Sequence, residues 1–227
     1  MKVAIITARS GSKRIKNKNI KNFCGSPIIE IVIKKLKKLK VFDRIIVSTD
    51  SNKISKIAKR SGAWVPFKRS KKLSGDFIGT YEVVLDVINN LKKNHNIKPD
   101  IVCCVYPTAV FFDKKELLKG FNKLKNKKTE YVFTATKVNS SLFRSFFYKK
   151  NKFKMFNEKY YNFRTQDLPD LYYDVGQFYL AKTEVWLKQK RIFSKYSKII
   201  EMPKNKSYDI DNIDDWKIAE KLFLING

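Results

Sequence analysis

VAIITARSGSKRIKNKNI, from Val3 to Ile20, decides how the rest of the chain is read. Val3, Ala4, Ile5 and Ile6 make a short apolar run, long enough for one buried strand and far too short to span a membrane. The pattern then breaks into Arg9, Ser10, Gly11, Ser12, Lys13 and Arg14, with Lys16, Lys18, Asn19 and Lys21 behind them. A strand that ends in a Gly/Ser turn studded with cations offers backbone N–H groups and fixed charge to phosphate oxygens. Gly11 is expected to permit the tight turn and Ser12 to add a hydroxyl donor, while Arg9, Lys13 and Lys18 supply the charge. The run is not a Walker A loop, because no second Gly precedes a Lys-Ser/Thr pair, and it has only one glycine of the dinucleotide fingerprint. Spacing alone leaves two readings open, a phosphate loop and a basic surface loop in a lysine-rich chain.

Around this stretch, 227 residues suit one globular domain with room for an inserted arm, and the 43% hydrophobic and 14% aromatic content speaks against disorder. No signal peptide or membrane span is visible, so the chain is expected in the cytoplasm. The cysteines number three, with Cys103 and Cys104 adjacent on an apolar run, which suits reduced thiols packed as small hydrophobes. With His95 as the single histidine, zinc ligation and Cys/His nucleophilic chemistry are poorly supported. The net charge of +28 raises the alternative of a nucleic-acid-binding protein. Against it, the lysines are spread through almost every helix and loop, with no basic tail, zinc-finger spacing or RNA-recognition aromatic box. The same cationic field draws in small anionic substrates, and salt-sensitive contact with nucleic acid would follow without being the function.

The remaining pattern alternates. A helix is expected over Pro27–Leu39 with Ser26 as its cap, then a strand over Arg44–Asp50, a helix over 51–61 and a strand over Ala63–Phe67. A helix from Tyr81 to Leu91, a buried strand at Ile101–Tyr106, a helix over 114–125 opened by an Asp113/Glu116 capping box, and a strand at Tyr131–Thr136 follow. Short elements are expected at Glu184–Gln189 and Lys198–Met202, before a helix from Ile213 to Leu224. This is the grammar of an α/β sheet, in which ligands sit outside the carboxyl ends of strands. The Arg9 loop and the Ser48–Asp50 strand end would both fall there. Between Lys137 and Tyr173 the periodicity fails and aromatics crowd in, from Phe143 to Phe163, which fits either a dimer arm or a satellite core under a long loop.

Near the end, Asp209 and Asp211 stand two apart, so an extended segment would project both carboxylates from one face. Two hard oxygen ligands suit Mg²⁺, which takes its other ligands from water and nucleotide phosphates. The alternative is an acidic strand end, with Asp214 and Asp215 complementing the dipole of the next helix.

The opening stretch resembles the signature of the CMP-sialic acid synthetase-like cytidylyltransferases, which activate nine-carbon 2-keto sugar acids with CTP. Their motif reads approximately I-P-A-R-x-G-S-K-R-I-P-x-K-N-I, matched by Ala8, Arg9, Gly11, Ser12, Lys13, Arg14, Ile15, Lys18, Asn19 and Ile20. Thr7 and Lys16 stand where prolines are usual, a change in loop stiffness more than in chemistry. A second motif, R-P-x-x-L-x-x-D-x-x-x-T, is matched by Arg69, Leu73, Asp76 and Thr80, with Ser70 replacing proline. Asp-Ile-Asp followed by Trp216 is similar to the family's metal motif.

The resemblance implies a three-layer Rossmann-like nucleotidyltransferase fold with a mainly parallel sheet. It also implies an arm inserted over 138–175 for dimerisation and sugar binding, and a homodimer. Ala8, Arg9, Gly11, Ser12, Lys13, Lys18, Asn19, Arg69 and Thr80 are then the nucleotide-binding residues, with Thr80 alternatively a simple helix cap and Asp76 alternatively a loop brace. Asp209 and Asp211 would hold Mg²⁺, and with Arg9 and Lys18 would carry catalysis. Sialic acid enzymes usually carry Gln-Pro-Thr-Ser-Pro-Leu-Arg where this chain has Tyr106-Pro107-Thr108-Ala109-Val110. They also carry an Asn-Gly pair where it has Asp174-Val175-Gly176-Gln177. These departures resemble the branch that activates pseudaminic acid, with legionaminic or sialic acid as the alternative substrate. Tyr106, Arg144, Arg164, Gln166, Asp174 and Gln177 become the sugar-binding candidates, the arginines for its carboxylate and the amides for hydroxyl or acylamino groups.

Overall fold

The chain opens on β1 (Lys2–Thr7), in which Val3, Ala4, Ile5 and Ile6 are fully buried. In the computed structural model, residues 1–138, 140–188 and 191–226 are described. Asn139 of the expected arm and Gln189 at the end of an expected helix lie outside the described residues. After the cationic loop, a 3₁₀ turn at Lys18–Ile20 leads to a small ribbon, β2 (Asn22–Phe23) with β3 (Ser26–Pro27), and then to α1 (Ile28–Leu39). Ser26 was expected to cap this helix, but it is drawn into the ribbon opposite Phe23, and Pro27 takes the cap position without a side-chain bond. β4 (Arg44–Ser48) is followed by α2 (Asn52–Arg60), where Ser51 Oγ accepts from the Ile54 N–H at 3.3 Å. The strand expected over Ala63–Phe67 is reduced to isolated bridges, Ile46 to Trp64 and Thr49 to Lys68. Pro66, with no N–H to donate, interrupts it.

Next come α3 (Thr80–His95), β5 (Ile101–Val105) and α4 (Lys114–Lys123). The capping box of α4 forms as the spacing predicts, Asp113 N–H donating to Glu116 Oε2 at 2.9 Å. β6 (Tyr131–Lys137) ends at the aromatic region, which contains a hairpin, β7 (Phe146–Lys149) with β8 (Lys152–Met155). Its turn residues Lys150 and Asn151 both take positive φ, the geometry that matches the twist of paired strands. β9 (Tyr172–Lys182) begins inside the range expected for the arm, and α5 (Thr183–Leu187), β10 (Lys198–Glu201) and α6 (Ile213–Asn226) complete the order.

Six strands form the central sheet in the order β10-β6-β9-β5-β1-β4, all parallel except β9, which runs antiparallel between β5 and β6. Alternation along the strands builds the layers. Ala4, Ile6, Val47, Cys103 and Val105 face Ile29, Val32, Ile33 and Leu36 of α1, with Leu117 of α4 and Trp216 of α6. Val3, Ile5, Ile46, Val102 and Cys104 face Val84, Val87, Ile88 and Leu91 of α3, with Trp186 of α5. The result is a three-layer α/β fold. Parallel strands bring the carboxyl ends of β1, β4 and β5 to one edge, and reversed β9 brings its amino end to the same edge. Among the described residues, no helix is long and apolar enough to cross a membrane.

Candidate active site

The loop after β1 is tied down from three directions. Ala8 N–H donates to the Ser48 carbonyl at 3.0 Å, extending the β1–β4 ladder by one residue. Ser10 donates its N–H and its hydroxyl to the Asp50 carboxylate at 2.8 and 2.6 Å. Asn19 Nδ2 reaches back to the Arg9 carbonyl at 2.9 Å. The left-handed residue of this loop is Asn17 rather than Gly11, so the turn does not depend on glycine's freedom as the sequence reading had it. Held in this way, Arg9, Ser12, Lys13, Arg14, Lys18 and Asn19 line one wall of a cleft of about 260 Å³, with Arg69, Thr80, Tyr106 and Asp211 on the others.

Arg69 forms the floor. It is buried, and its Nε donates to Ser48 Oγ at 3.0 Å while a terminal nitrogen donates to the Ser48 carbonyl. Burial pulls its guanidinium down to about 10, against the opposing pull of Asp50. Thr80 is the first residue of α3 and does not cap it; Gly79 holds the cap position, and Thr80 Oγ1 lies 2.8 Å from the Tyr106 hydroxyl.

Asp209 and Asp211 flank buried Ile210, which anchors the extended segment and leaves the two carboxylates on the other side. A reciprocal cap fixes this segment at the start of α6. Asn212 Oδ1 accepts from the N–H groups of Asp214 and Asp215, and the Asp215 carboxylate accepts from those of Asp211 and Asn212 at 3.0 and 2.9 Å. The Asp211 carboxylate meets Arg14 at 2.8 Å and Lys18 at 3.9 Å. Lys18 Nζ also donates to the Ile210 carbonyl. Burial lowers the Lys18 ammonium below its usual range, opposed by the charges of Asp209 and Asp211. Asp209 touches solvent yet is crowded by the surrounding chain; that desolvation, and then repulsion from Asp211, raises its carboxyl. Two carboxylates that repel each other on a rigid segment are a donor set that a divalent cation would relieve. Among the described residues no group of three or more His, Cys, Asp or Glu side chains gathers at one point, so remaining ligands would come from substrate and water.

A second cleft, about 670 Å³, opens beside the first and shares Gly79, Thr80 and Tyr106 with it. Its wall is mostly apolar (Tyr81, Tyr106, Tyr179, Ile192, Phe193), with Asp174 and Arg191 as its charges. A register shift in β9 shapes it. Ala135 pairs with Asp174 but Phe133 pairs with Tyr179, and the Thr134 hydroxyl receives the N–H groups of Gln177 and Phe178 at 3.1 and 3.4 Å. Gly176 sits at φ +60 in this bulge; a Cβ there would meet the Tyr106 ring at 3.3 Å.

The remaining expected residues fall elsewhere. Ala8 is buried with its N–H in the sheet, and Gly11 does not line the cleft. Gln177 is 2% exposed, its Oε1 accepting from the Phe111 N–H at 3.0 Å and its Nε2 donating to the Val175 carbonyl at 3.3 Å. With both ends of its amide on backbone, it braces the turn after β5 beneath the site. Arg144 and Gln166 are exposed and line neither cleft. Arg164 is exposed and pairs with Asp167 at 2.7 Å. Sequence reasoning named Arg14 in the opening motif and Asp50 at a strand end without giving either a partner, and it assigned no role to Tyr179 or Arg191. Arg14 and Asp50 could have been read as ionic and loop-bracing partners; Arg191 has no local pattern around it.

A family-wide sequence profile described as Cytidylyltransferase matches residues 3–224. The chain is 36% identical over 225 residues to a pseudaminic acid cytidylyltransferase of Campylobacter jejuni, covering 99% of this chain and 97% of that one. It is 35% identical over 219 residues to a Helicobacter pylori protein described as pseudaminic acid cytidylyltransferase and UDP-2,4-diacetamido-2,4,6-trideoxy-beta-L-altropyranose hydrolase, covering 96% of this chain and 42% of that one. In fold it is similar to a CMP:2-keto-3-deoxy-manno-octonic acid synthetase complexed with CTP, at TM-score 0.72 and 13% identity, over 100% of this chain and 99% of that one.

Proposed function

The chain belongs to the cytidylyltransferase family, and from that premise we propose that it transfers CMP from CTP to the anomeric hydroxyl of pseudaminic acid, releasing pyrophosphate. The observation that carries this reading is the pair of clefts joined at Thr80 and Tyr106. One is walled by Arg9, Lys13, Arg14 and Lys18; the other is apolar and holds a single carboxylate and a single guanidinium. A nucleoside triphosphate suits the first, and a sugar acid with acylamino and methyl groups suits the second.

In this reading Arg9, Ser12, Lys13 and Lys18 cradle the phosphates, Asn19 keeps the loop in shape, and Arg69 and Thr80 lie on the base side. The sugar's oxygen attacks the α-phosphorus in line, and the bond to the bridging oxygen breaks with its electron pair leaving on pyrophosphate. Positioning and charge neutralisation carry most of the catalysis, as in other phosphoryl transfers. Asp209 and Asp211 are the residues that would hold Mg²⁺, whose chemistry there is charge neutralisation at phosphate oxygens.

We assign the segment from 138 to the start of β9 as an arm that packs on a second copy of the chain. Phe146, Phe147, Tyr148, Phe153, Phe156 and Tyr161 are all more than half exposed, which is more aromatic surface than a monomer usually leaves in water. Arg144, Arg164 and Gln166 would then face the partner's sugar cleft.

The test is pyrophosphate release with CTP, Mg²⁺ and a panel of pseudaminic, legionaminic and sialic acids. Turnover favouring pseudaminic acid is expected; equal use of another acid would overturn the substrate, and no turnover with any of them the reaction.

A further inference from the structure

We propose that Asp113 is a positioning residue for the cation site, a clamp between Lys35 and Lys206 that sets where the Asp209 and Asp211 carboxylates stand relative to the nucleotide cleft. The inference rests on the reading that these two carboxylates hold Mg²⁺ with CTP, and it adds the residues that keep them in place. Lys206 Nζ donates to Asp113 Oδ2 at 2.5 Å across 93 positions, and Lys35 Nζ lies 3.7 Å from Asp113 Oδ1. Lys35 also donates to the Val110 and Phe112 carbonyls at 2.5 and 2.9 Å, so its ammonium is spent on the turn after β5. The two lysine side chains are 20% and 21% exposed, in a chain that leaves most of its lysines in water. An enclosed ammonium gives up hydration that a surface lysine keeps, which sets this pair apart from the ordinary basic surface. Against burial, which would raise it, the hydrogen bond from Lys206 and the charge of Lys35 hold the Asp113 carboxyl below the usual carboxylate range.

The clamp joins two walls of the site. On one side is the turn over 107–112, whose Pro107 and Thr108 line the nucleotide cleft and whose Phe111 N–H is held by Gln177. On the other is the 3₁₀ turn Lys204–Lys206, which runs directly into Ser207 and the stretch from Tyr208 to Asp211. Ser207 is buried and its hydroxyl donates to the Lys204 carbonyl at 3.0 Å, so a displacement of Lys206 is passed to the backbone that follows.

The far end of that stretch is pinned separately, by the Asn212/Asp215 cap and by Lys18 on the Ile210 carbonyl. Asp209 lies nearer the Lys206 end. Its Oδ1 accepts from the Ile210 N–H at 2.8 Å, so the aim of its other oxygen follows the local backbone. Mg²⁺ demands near-ideal octahedral geometry, and a small rotation here should cost metal affinity before it costs the fold. A simple surface brace makes the opposite claim, that opening the clamp lowers stability and leaves the metal alone.

Asp113→Asn and Lys206→Met each open the clamp, and Lys206→Arg keeps its charge. The measurements are the Mg²⁺ concentration for half-maximal pyrophosphate release and Mn²⁺ binding to the enzyme–CTP complex by electron paramagnetic resonance. CTP affinity in EDTA and melting temperature are read alongside. Asp113→Asn and Lys206→Met are expected to need about tenfold more Mg²⁺ and to bind Mn²⁺ about tenfold more weakly, the low end of the range for residues behind metal ligands. Turnover should recover at saturating Mg²⁺, CTP affinity in EDTA should hold, and Lys206→Arg should bind Mn²⁺ as the wild type does. The Asp113→Asn/Lys206→Met double variant should be no weaker than the weaker single one, because both open one contact. Unchanged Mn²⁺ affinity in Lys206→Met, or losses that multiply in the double variant, would overturn the clamp. If Asp113→Asn does not fold, Lys206→Met decides, since it leaves the Asp113/Glu116 cap of α4 in place. Asp209→Asn and Asp211→Asn are the controls. Unchanged Mn²⁺ binding in both overturns the metal reading and this inference with it; loss there with none in the clamp variants overturns this inference alone.

Discussion

The Asp76 carboxylate meets Arg9 Nη1 at 2.6 Å, so an acid from the loop before α3 closes onto a cation of the loop after β1. Its other oxygen lies 2.5 Å from Lys13 Nζ. Hydrogen bonds from Lys13 and Arg9 hold the Asp76 carboxyl below the usual carboxylate range. Sequence reading left Asp76 open between loop brace and site residue. In the structure it stands where two of the proposed phosphate contacts would be made.

If a triphosphate must displace that carboxylate, Asp76→Asn should bind CTP a few-fold more tightly, with a steeper loss of affinity as salt is raised. Calorimetry at low and high salt checks this. Weaker binding would show that Asp76 shapes the loop more than it competes for it.

Lys18, 20% exposed, is more enclosed than Lys13 of the same cleft, and it stands against the charges of Asp211 and Asp209 from inside. Lys18→Ala should weaken CTP binding or slow transfer by roughly 1.5–3 kcal/mol, about 10- to 150-fold, the usual cost of a lost charge-assisted bond. Unchanged affinity together with unchanged turnover would return the loop to an ordinary basic surface.

Asp211→Asn should abolish turnover while the melting temperature holds, because Asp215 fixes the segment through the Asp211 backbone, not its carboxylate. Titration of Mg²⁺ into the CTP complex should show the weakened metal site directly. Near-normal activity in saturating Mg²⁺ would remove Asp211 from the metal.

Gln177 was expected from sequence to read the sugar, but its amide is spent on Phe111 and Val175. Gln177→Ala therefore leaves a buried N–H and a buried carbonyl short of partners. The expected cost is about 1–3 kcal/mol of stability, or roughly 2–4 °C of melting temperature per kcal/mol at this chain length. Thermal unfolding checks this; a shift in sugar preference with no loss of stability would contradict the bracing role.

The exposed rings of the β7–β8 hairpin, with Phe146 at 55% and Phe153 at 59%, predict a homodimer. Sedimentation at micromolar concentration should show it, and Phe146→Ser with Phe153→Ser should shift it toward monomer with a loss of activity. An active monomeric wild type would count against the arm.

The opening motif, the capping box at Asp113 and Glu116, the buried strands and the Asp209/Asp211 spacing were all legible in sequence, because each rests on residues a few positions apart. Apolar runs set the strands, alternation along them sets the two buried faces, and contiguous cations mark a loop whatever the rest of the chain does. What the tertiary structure alone decided depends on residues far apart in the chain. β9 enters the sheet backwards between β5 and β6, with a bulge at Asp174–Gln177 that broke the periodicity by which a strand is recognised. That insertion turned Gln177 inward and set Tyr179 and Asp174 against Tyr106 and Thr80. Asp76 reached Arg9 across 67 positions and Asp50 reached Ser10 across 40. Such pairings are set by how the layers pack, since a side chain's local neighbours do not say which strand end it will meet.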